Sequence, residues 1–255
     1  MTADLNRTPI PPRPPLAPLA YLRWTIVEPI VREVAPSRIL EVGTGLGGFG
    51  TRLAAMADYV GLEQDPTSFA VAEARIGSAG GRMVLGSLPQ IEEQTFDLIC
   101  AFEVLEHIED DRAALIEWAA RLQPGGSILL SVPAGTHRYG AWDEAVGHFR
   151  RYTARSLREV IEAAGLDTVR MVHYGWPLGY VTEGVRNFLA GRRRRAGTGS
   201  TVSMADRTAS SGRSLQPRDR TGRLVRLAAS PFARLQRRRP QMGVGLVVLA
   251  ARPAE

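Results

Sequence analysis

From residue 38 to residue 133, short apolar runs alternate with stretches of helical spacing. They read "RILEVG", "GFGTRLAAMA", "YVGLEQ", "TSFAVAEARI", "RMVLGS", "FDLICAF" and "DDRAALIEWAARL", then the turn "QPGG" and "SILLSVP". Strands that alternate with helices predict an α/β fold, a doubly wound parallel sheet with helices on both faces in three layers. A loop over 134–152, a helix over "TARSLREVIEAAG", a strand over "DTVRMVHYG" and an apolar strand "GVGLVVLAAR" follow. These complete a seven-stranded, mostly parallel sheet in which the late strand is reversed.

The flanks differ in composition. Residues 1–20 are Pro-rich and predict an extended, disordered arm, and an amphipathic helix is expected from Tyr21 to about Val34, before Pro36. The main domain is then 21–175 plus 240–255. Residues 176–239 form an insertion of two helices, "YVTEGVRNFLAGRRRR" and "RLVRLAASPFARLQRRR", around a linker at 196–218 expected to be disordered.

All 32 basic residues are Arg, so lysine Schiff-base chemistry is excluded. Sixteen of them lie in 186–252 against Asp206 and Asp219, whereas residues 1–185 hold sixteen Arg against 23 acids. A mildly acidic body and a basic insertion predict either peripheral contact with an anionic membrane or phosphate, or a solvated basic lid. No apolar run is long enough to cross a bilayer, and no charged-then-apolar leader opens the sequence. The expected location is the cytoplasm, including the inner face of the membrane. The lone Cys100 lies in the apolar run "FDLICAF" and reads as a small buried hydrophobe.

Glu41-Val42-Gly43-Thr44-Gly45-Leu46-Gly47-Gly48 follows the first strand and opens a helix. Glycines there permit a tight turn and close backbone approach to a ligand at a helix start. Glu63, twenty residues after Gly43 at the end of the next strand, is placed to accept both hydroxyls of an adenosine ribose. Gly43, Gly45 and Gly48 also satisfy G-x-G-x-x-G, so a nicotinamide oxidoreductase is an alternative. Glu41 argues against it, because a carboxylate there would repel a pyrophosphate but suit an ammonium group.

With "LQPGGSILLSVP", these features resemble the class I S-adenosylmethionine-dependent methyltransferases over residues 36–175 and 243–253. The resemblance implies that Glu41, Gly43, Thr44 and Gly45 line the methionine end of the cofactor. It further implies that Glu63 holds the ribose, Gln64 borders the adenine, Ser87 and Leu88 lie beside the ring, and Phe102 contacts the cofactor.

"FEVLEHIEDD" crowds acidic and imidazole groups after the fourth strand. If a helix starts near Glu103, then Glu103, Glu106 and His107 share one face at the carboxyl edge of the sheet. Two carboxylates and an imidazole can hold a divalent cation such as Mg2+, which would favour deprotonation of an acceptor hydroxyl. The alternative is that Glu106 and His107 cap a helix. The pattern E-x-x-E-H resembles that of metal-assisted O-methyltransferases, including the ubiquinone-biosynthesis enzymes and the small-RNA 2′-O-methyltransferases. That resemblance implies a further histidine ligand, for which His148 is the candidate, and an acceptor with neighbouring hydroxyls. Without metal, His107 or His148 becomes the general base, oriented or replaced by Asp143.

Arg150, Arg151 and Tyr152 are expected to contact an acceptor phosphate or a neighbouring helix. The loop "WDEAVGHFRRYTARSL" and the basic insertion resemble a bacterial methyltransferase subgroup of polysaccharide and glycolipid assembly, implying a sugar or lipid-linked sugar acceptor. The alternative use of the insertion is RNA binding, with ribose methylation as its enzymatic form.

Overall fold

The computed structural model describes residues 13–91, 94–195 and 222–254. One seven-stranded sheet forms the centre: β1 (Arg38–Val42), β2 (Asp58–Glu63), β3 (Arg82–Leu85), β4 (Phe96–Phe102), β5 (Leu122–Pro133), β6 (Asp167–Gly175) and β7 (Gly243–Ala251). Their order across the sheet is β3-β2-β1-β4-β5-β7-β6. All neighbours are parallel except β7, which runs antiparallel to both β5 and β6. The expected architecture, with its single reversed strand, is the observed one.

Side chains leaving opposite faces of each strand build two cores. On β4, Ile99 and Ala101 join Leu40, Leu130, Trp118 and Leu157 under α4 (Asp111–Ala119) and α6 (Ala154–Ala163). Leu98 and Cys100 point the other way, to Val27, Ile39, Leu53 and Ile76 of α1 (Pro18–Val34), β1, α2 (Gly50–Leu53) and α3 (Pro66–Gly77). Cys100 is therefore a fully buried hydrophobe, as its neighbours in sequence suggested.

Several boundaries differ from the sequence expectation. α1 begins at Pro18 rather than Tyr21, because proline at the first helical position gives up only an amide that has no helical partner. The 134–152 stretch is not simply loop: it carries a 3-10 turn at Thr136–Arg138 and α5 (Ala141–Val146), bracketed by Gly140 and Gly147. No helix starts at Glu103. Its backbone is left-handed, with φ of 58°, and only a 3-10 turn, Leu105–His107, precedes α4.

The described part of 176–239 forms α7 (Leu178–Arg195) and α8 (Gly222–Arg237). Both pack on the body. Gln236 of α8, 1% exposed, donates to Leu22 O and Thr25 Oγ1 of α1 and accepts from Gly175 N of β6. The 1–12 part of the Pro-rich arm and the 196–218 linker lie outside the described residues. No described helix is long and apolar enough to cross a membrane.

Candidate active site

The strand order reverses between β1 and β4, and a cavity of about 960 Å³ opens there along the carboxyl ends of the strands. The glycine loop forms one wall. Gly43 and Thr44 amides both donate to Leu62 O, which ties the loop to β2. Gly43 has φ of +72°, and a Cβ there would lie 2.6 Å from Val104 Cγ2. Gly45 has φ of +55° and open space where its Cβ would be, so its backbone is bare toward a ligand. Glu63 closes the turn by accepting from Gly45 N at 2.7 Å and from Asp65 N at 2.9 Å.

Every residue assigned to the cofactor lines this cavity: Glu41, Gly43, Thr44, Gly45, Glu63, Gln64, Ser87, Leu88 and Phe102. Glu41 is 2% exposed and accepts a 2.5 Å hydrogen bond from Tyr59 OH. Burial pushes its carboxyl up to about 8 despite Tyr59 and Arg23, which pull the other way. Burial also raises Glu63, against the opposing effect of the Asp65 and Gly45 amides. Thr44, which lines the same wall, has its Oγ1 buried with no hydrogen-bond partner among the described residues.

The acidic cluster divides in two. Glu103 accepts from Arg23 at 2.8 Å, from Tyr174 OH at 3.0 Å and from Ser131 Oγ at 3.0 Å. Burial alone would raise its pKa, but Arg23, Tyr174 and His148 outweigh it and hold the carboxyl below its usual range. The expectation that Glu103, Glu106 and His107 share one helical face is corrected: no helix starts at Glu103, whose backbone is left-handed and whose carboxylate pairs with Arg23 of α1.

Glu106, His107 and His148 come together instead, each offering a ligand atom within 4.8 Å of the others. Glu106 is completely buried, and among the described residues neither carboxylate oxygen has a hydrogen-bond partner. Burial, then Glu103, push its pKa well above the ordinary value. His148 Nδ1 sits 2.7 Å from Asp143 Oδ1, so the carboxylate fixes the ring and turns Nε2 to within 3.8 Å of Glu106 Oε1. His107 Nδ1 lies 3.2 Å from Gly147 O, and burial lowers its pKa to about 4. The two rings meet edge to face with centroids 4.6 Å apart. Asp143 is itself held by Arg151 at 2.8 Å, and the hydrogen bonds from His148 and Arg151 overcome burial to keep it ionised.

Two imidazoles whose Nδ1 atoms are anchored by oxygen acceptors, facing a buried and unsatisfied carboxylate, have the donor chemistry of a cation site. Glu106 and Asp143 lie behind the cavity surface, whereas Glu103, His107 and His148 line it.

The two arginines and the tyrosine after α5 pair with acids of the protein itself. Arg150 pairs with Asp111, Arg151 bridges Asp143 and Glu183, and Tyr152 OH donates to Asp111.

Other lining residues escaped the sequence reading. Arg23 reaches the cavity from α1, with its guanidinium 5.0 Å from the centre of the Phe49 ring. Arg186 reaches it from α7 and lies 5.3 Å from the Trp142 ring, with burial lowering its pKa and no ion pair among the described residues. Neither residue belongs to a local motif. The one signal for Arg186 was Glu183, the last acid before a long Arg-rich stretch.

A glycine loop at a switch point, an acid at the end of the second strand and a reversed seventh strand define a nucleoside-binding fold of the class I methyltransferase type. A family model described as "Methyltransferase domain" matches residues 25–171, and the chain belongs to that family of S-adenosylmethionine-dependent methyltransferases.

Among curated relatives, it is 27% identical over 164 residues to the "Ubiquinone biosynthesis O-methyltransferase" of Azorhizobium caulinodans, covering 54% of this chain and 61% of that protein. It is 29% identical over 155 residues to a Mycolicibacterium smegmatis protein named "Probable S-adenosylmethionine-dependent methyltransferase", covering 58% and 60%. The chain thus spans about three fifths of the length of these two relatives. Among solved structures, the [4+2]-cyclase SpnF aligns with a TM-score of 0.59 at 20% identity, covering 92% of this chain and 82% of that one. The N-methyltransferase NodS of Bradyrhizobium japonicum, in complex with S-adenosyl-L-homocysteine, aligns at 0.52 and 23%, covering 66% and 85%. At these identities the structural likeness establishes the fold.

Proposed function

We propose that the protein is an O-methyltransferase that uses S-adenosylmethionine to methylate an acceptor with neighbouring hydroxyls, a sugar, lipid-linked sugar or catechol-like molecule, assisted by a divalent cation at Glu106, His107 and His148. The observation that carries this reading is Glu106, a fully buried carboxylate with two unsatisfied oxygens facing two oriented imidazoles. An unpaired buried carboxylate is costly, and a cation removes the cost. The names of the curated relatives, O-methyltransferases of ubiquinone biosynthesis among them, agree with oxygen as the methylated atom.

When bound, the cofactor supplies an electrophilic methyl carbon on a sulfonium. Glu106, His107 and His148 would hold a divalent cation, which would lower the pKa of a hydroxyl bound to it. The chain's own residues position and protect. Glu63 would hold the ribose hydroxyls, while Glu41 and the backbone from Gly43 to Gly45 would face the methionine end and its ammonium. Phe49 and Phe102, packed edge to face at 4.9 Å, exclude water below the loop. Asp143 holds His148 in one orientation, and His107 stays neutral at pH 7, able to donate a lone pair to a cation or accept a proton. Arg186, without a carboxylate partner beside Trp142, favours an acceptor that carries a phosphate or carboxylate.

Transfer of labelled methyl from S-adenosylmethionine to a catechol or sugar acceptor, before and after chelation and with elemental analysis, tests the proposal. Activity that needs a cation supports it. Full activity in a metal-free preparation removes the cation, and no transfer to any hydroxyl acceptor removes the reaction.

A further inference from the structure

Helix α7 has two faces with opposite duties. Glu183 and Arg186 point inward and line the cavity. Val181, Val185, Phe188 and Leu189 point outward, at the i, i+4, i+7, i+8 spacing of one helical stripe, and are 64%, 53%, 63% and 50% exposed. The helix ends in Arg192–Arg193–Arg194–Arg195, with Arg192 lying 5.7 Å from the centre of the Phe188 ring. Helix α8 repeats the pattern: Leu224 and Leu227 are 67% and 71% exposed, and its last turn and the chain after it carry Arg234, Arg237, Arg238 and Arg239. Between Glu183 and Glu255 the sequence contains only two acids, Asp206 and Asp219.

We infer that the exposed stripe of α7, with its terminal Arg cluster, docks on an anionic lipid bilayer. Large aliphatic and aromatic side chains in contact with water beside concentrated guanidinium groups match a surface that is apolar within and negatively charged at its boundary. Other occupants fit less well. A second copy of this chain would bring its own Arg clusters against these. The intervening sequence 196–221 is rich in Ser, Thr, Gly and Arg, with Val202, Met204 and Leu215 as its only large aliphatic side chains, too few to cover both stripes. RNA would engage the guanidinium groups, but Val181, Val185, Leu189, Leu224 and Leu227 have no π-face on which a base stacks.

Because α7 is also a cavity wall, docking brings the acceptor pocket to the bilayer surface. This supplies a route for a lipid-anchored acceptor. The route rests on the methyltransferase reading; the docking does not.

Sedimentation of the full chain with vesicles of one part phosphatidylglycerol to three parts phosphatidylcholine tests the inference without an activity assay. The expected result is binding to these vesicles and at least about tenfold weaker binding to pure phosphatidylcholine, since each Arg near an anionic surface contributes severalfold. Val185→Asp with Phe188→Asp, both on the exposed side of the helix, is expected to weaken binding by about tenfold or more while methyl transfer to a water-soluble acceptor is retained. The inference is overturned if the chain ignores anionic vesicles, or if the double variant binds them as the parent does. It is equally overturned if the parent is a dimer that the double variant converts to monomer, or if RNA competes the protein off vesicles and binds the double variant unchanged.

Discussion

Arg23 Nη1 on the first helix lies 2.8 Å from Glu103 Oε1 at the end of the fourth strand, joining residues eighty positions apart across the mouth of the cavity. The Glu103 carboxylate also gathers Ser131 and Tyr174, so α1 is tied to β4, β5 and β6 by one group. Removing the cation alone leaves that carboxylate without its charge partner. Arg23→Ala should lower stability in urea by about 2 kcal/mol, and adding Glu103→Gln should recover much of it. With Glu103→Gln also measured alone, single losses that simply add in the double variant would show that the pair is not coupled.

Glu106→Gln separates stability from binding. Burial holds the Glu106 carboxyl well above its ordinary pKa, so without a cation it folds protonated at a cost in stability at neutral pH; the amide, neutral at every pH, removes that cost, and in the presence of chelator the variant should melt higher than the parent protein. The same variant should lose tight cation binding. Asp143→Asn, which loosens His148, should weaken cation affinity by about 10- to 100-fold with the ligands themselves intact. Unchanged affinity in both variants, read by titration with Mn2+, Zn2+ and Mg2+ separately, would place the cation elsewhere.

Glu41 sets a pH dependence with a definite sign. Burial raises its pKa from the ordinary 4.5 to about 8, so between these values the folded chain holds a proton that the unfolded chain has lost. Stability from this group is present below pH 4.5 and declines as pH rises toward 8. Glu41→Gln should flatten that decline. If the cofactor ammonium meets Glu41, binding at pH 7 also expels the proton, which calorimetry in buffers of different ionisation enthalpy detects as net proton release. No proton exchange in the parent protein would separate Glu41 from the ammonium.

Glu63 holds the glycine loop through Gly45 and is proposed to hold the ribose of the cofactor. Glu63→Ala should weaken S-adenosylhomocysteine binding by about tenfold or more, in line with loss of a charge-assisted hydrogen bond. Calorimetry gives the affinity, and the melting temperature of the unliganded variant distinguishes lost contact from a collapsed loop.

The sheet and the glycine loop were legible in the sequence because their signals are local. Apolar runs such as "FDLICAF" at the right spacing name strands, and Gly43 to Gly48 name a turn whatever surrounds them. The acidic cluster was harder. "EVLEH" has helical spacing, but the chain turns left-handed at Glu103, where the carboxylate gains Arg23, Ser131 and Tyr174 at the expense of a helical start. That gain comes from α1, β5 and β6, so no window around residue 103 contains it. The same holds for α5, six residues long, which packs beside α7 and carries Trp142 and Asp143 to the cavity's edge. Pairing His107 with His148 required two segments forty residues apart to meet, and the sequence could only nominate them.

The glycine loop is proposed to receive the cofactor's nucleoside and to deliver its sulfur toward His107 and His148. A crystal structure with S-adenosylhomocysteine tests it most directly. The expected density has the ribose hydroxyls on Glu63, the amino-acid end along Gly43 to Gly45, and the sulfur facing the two imidazoles. A nucleoside bound elsewhere, or a sulfur turned away from the histidines, would contradict the account.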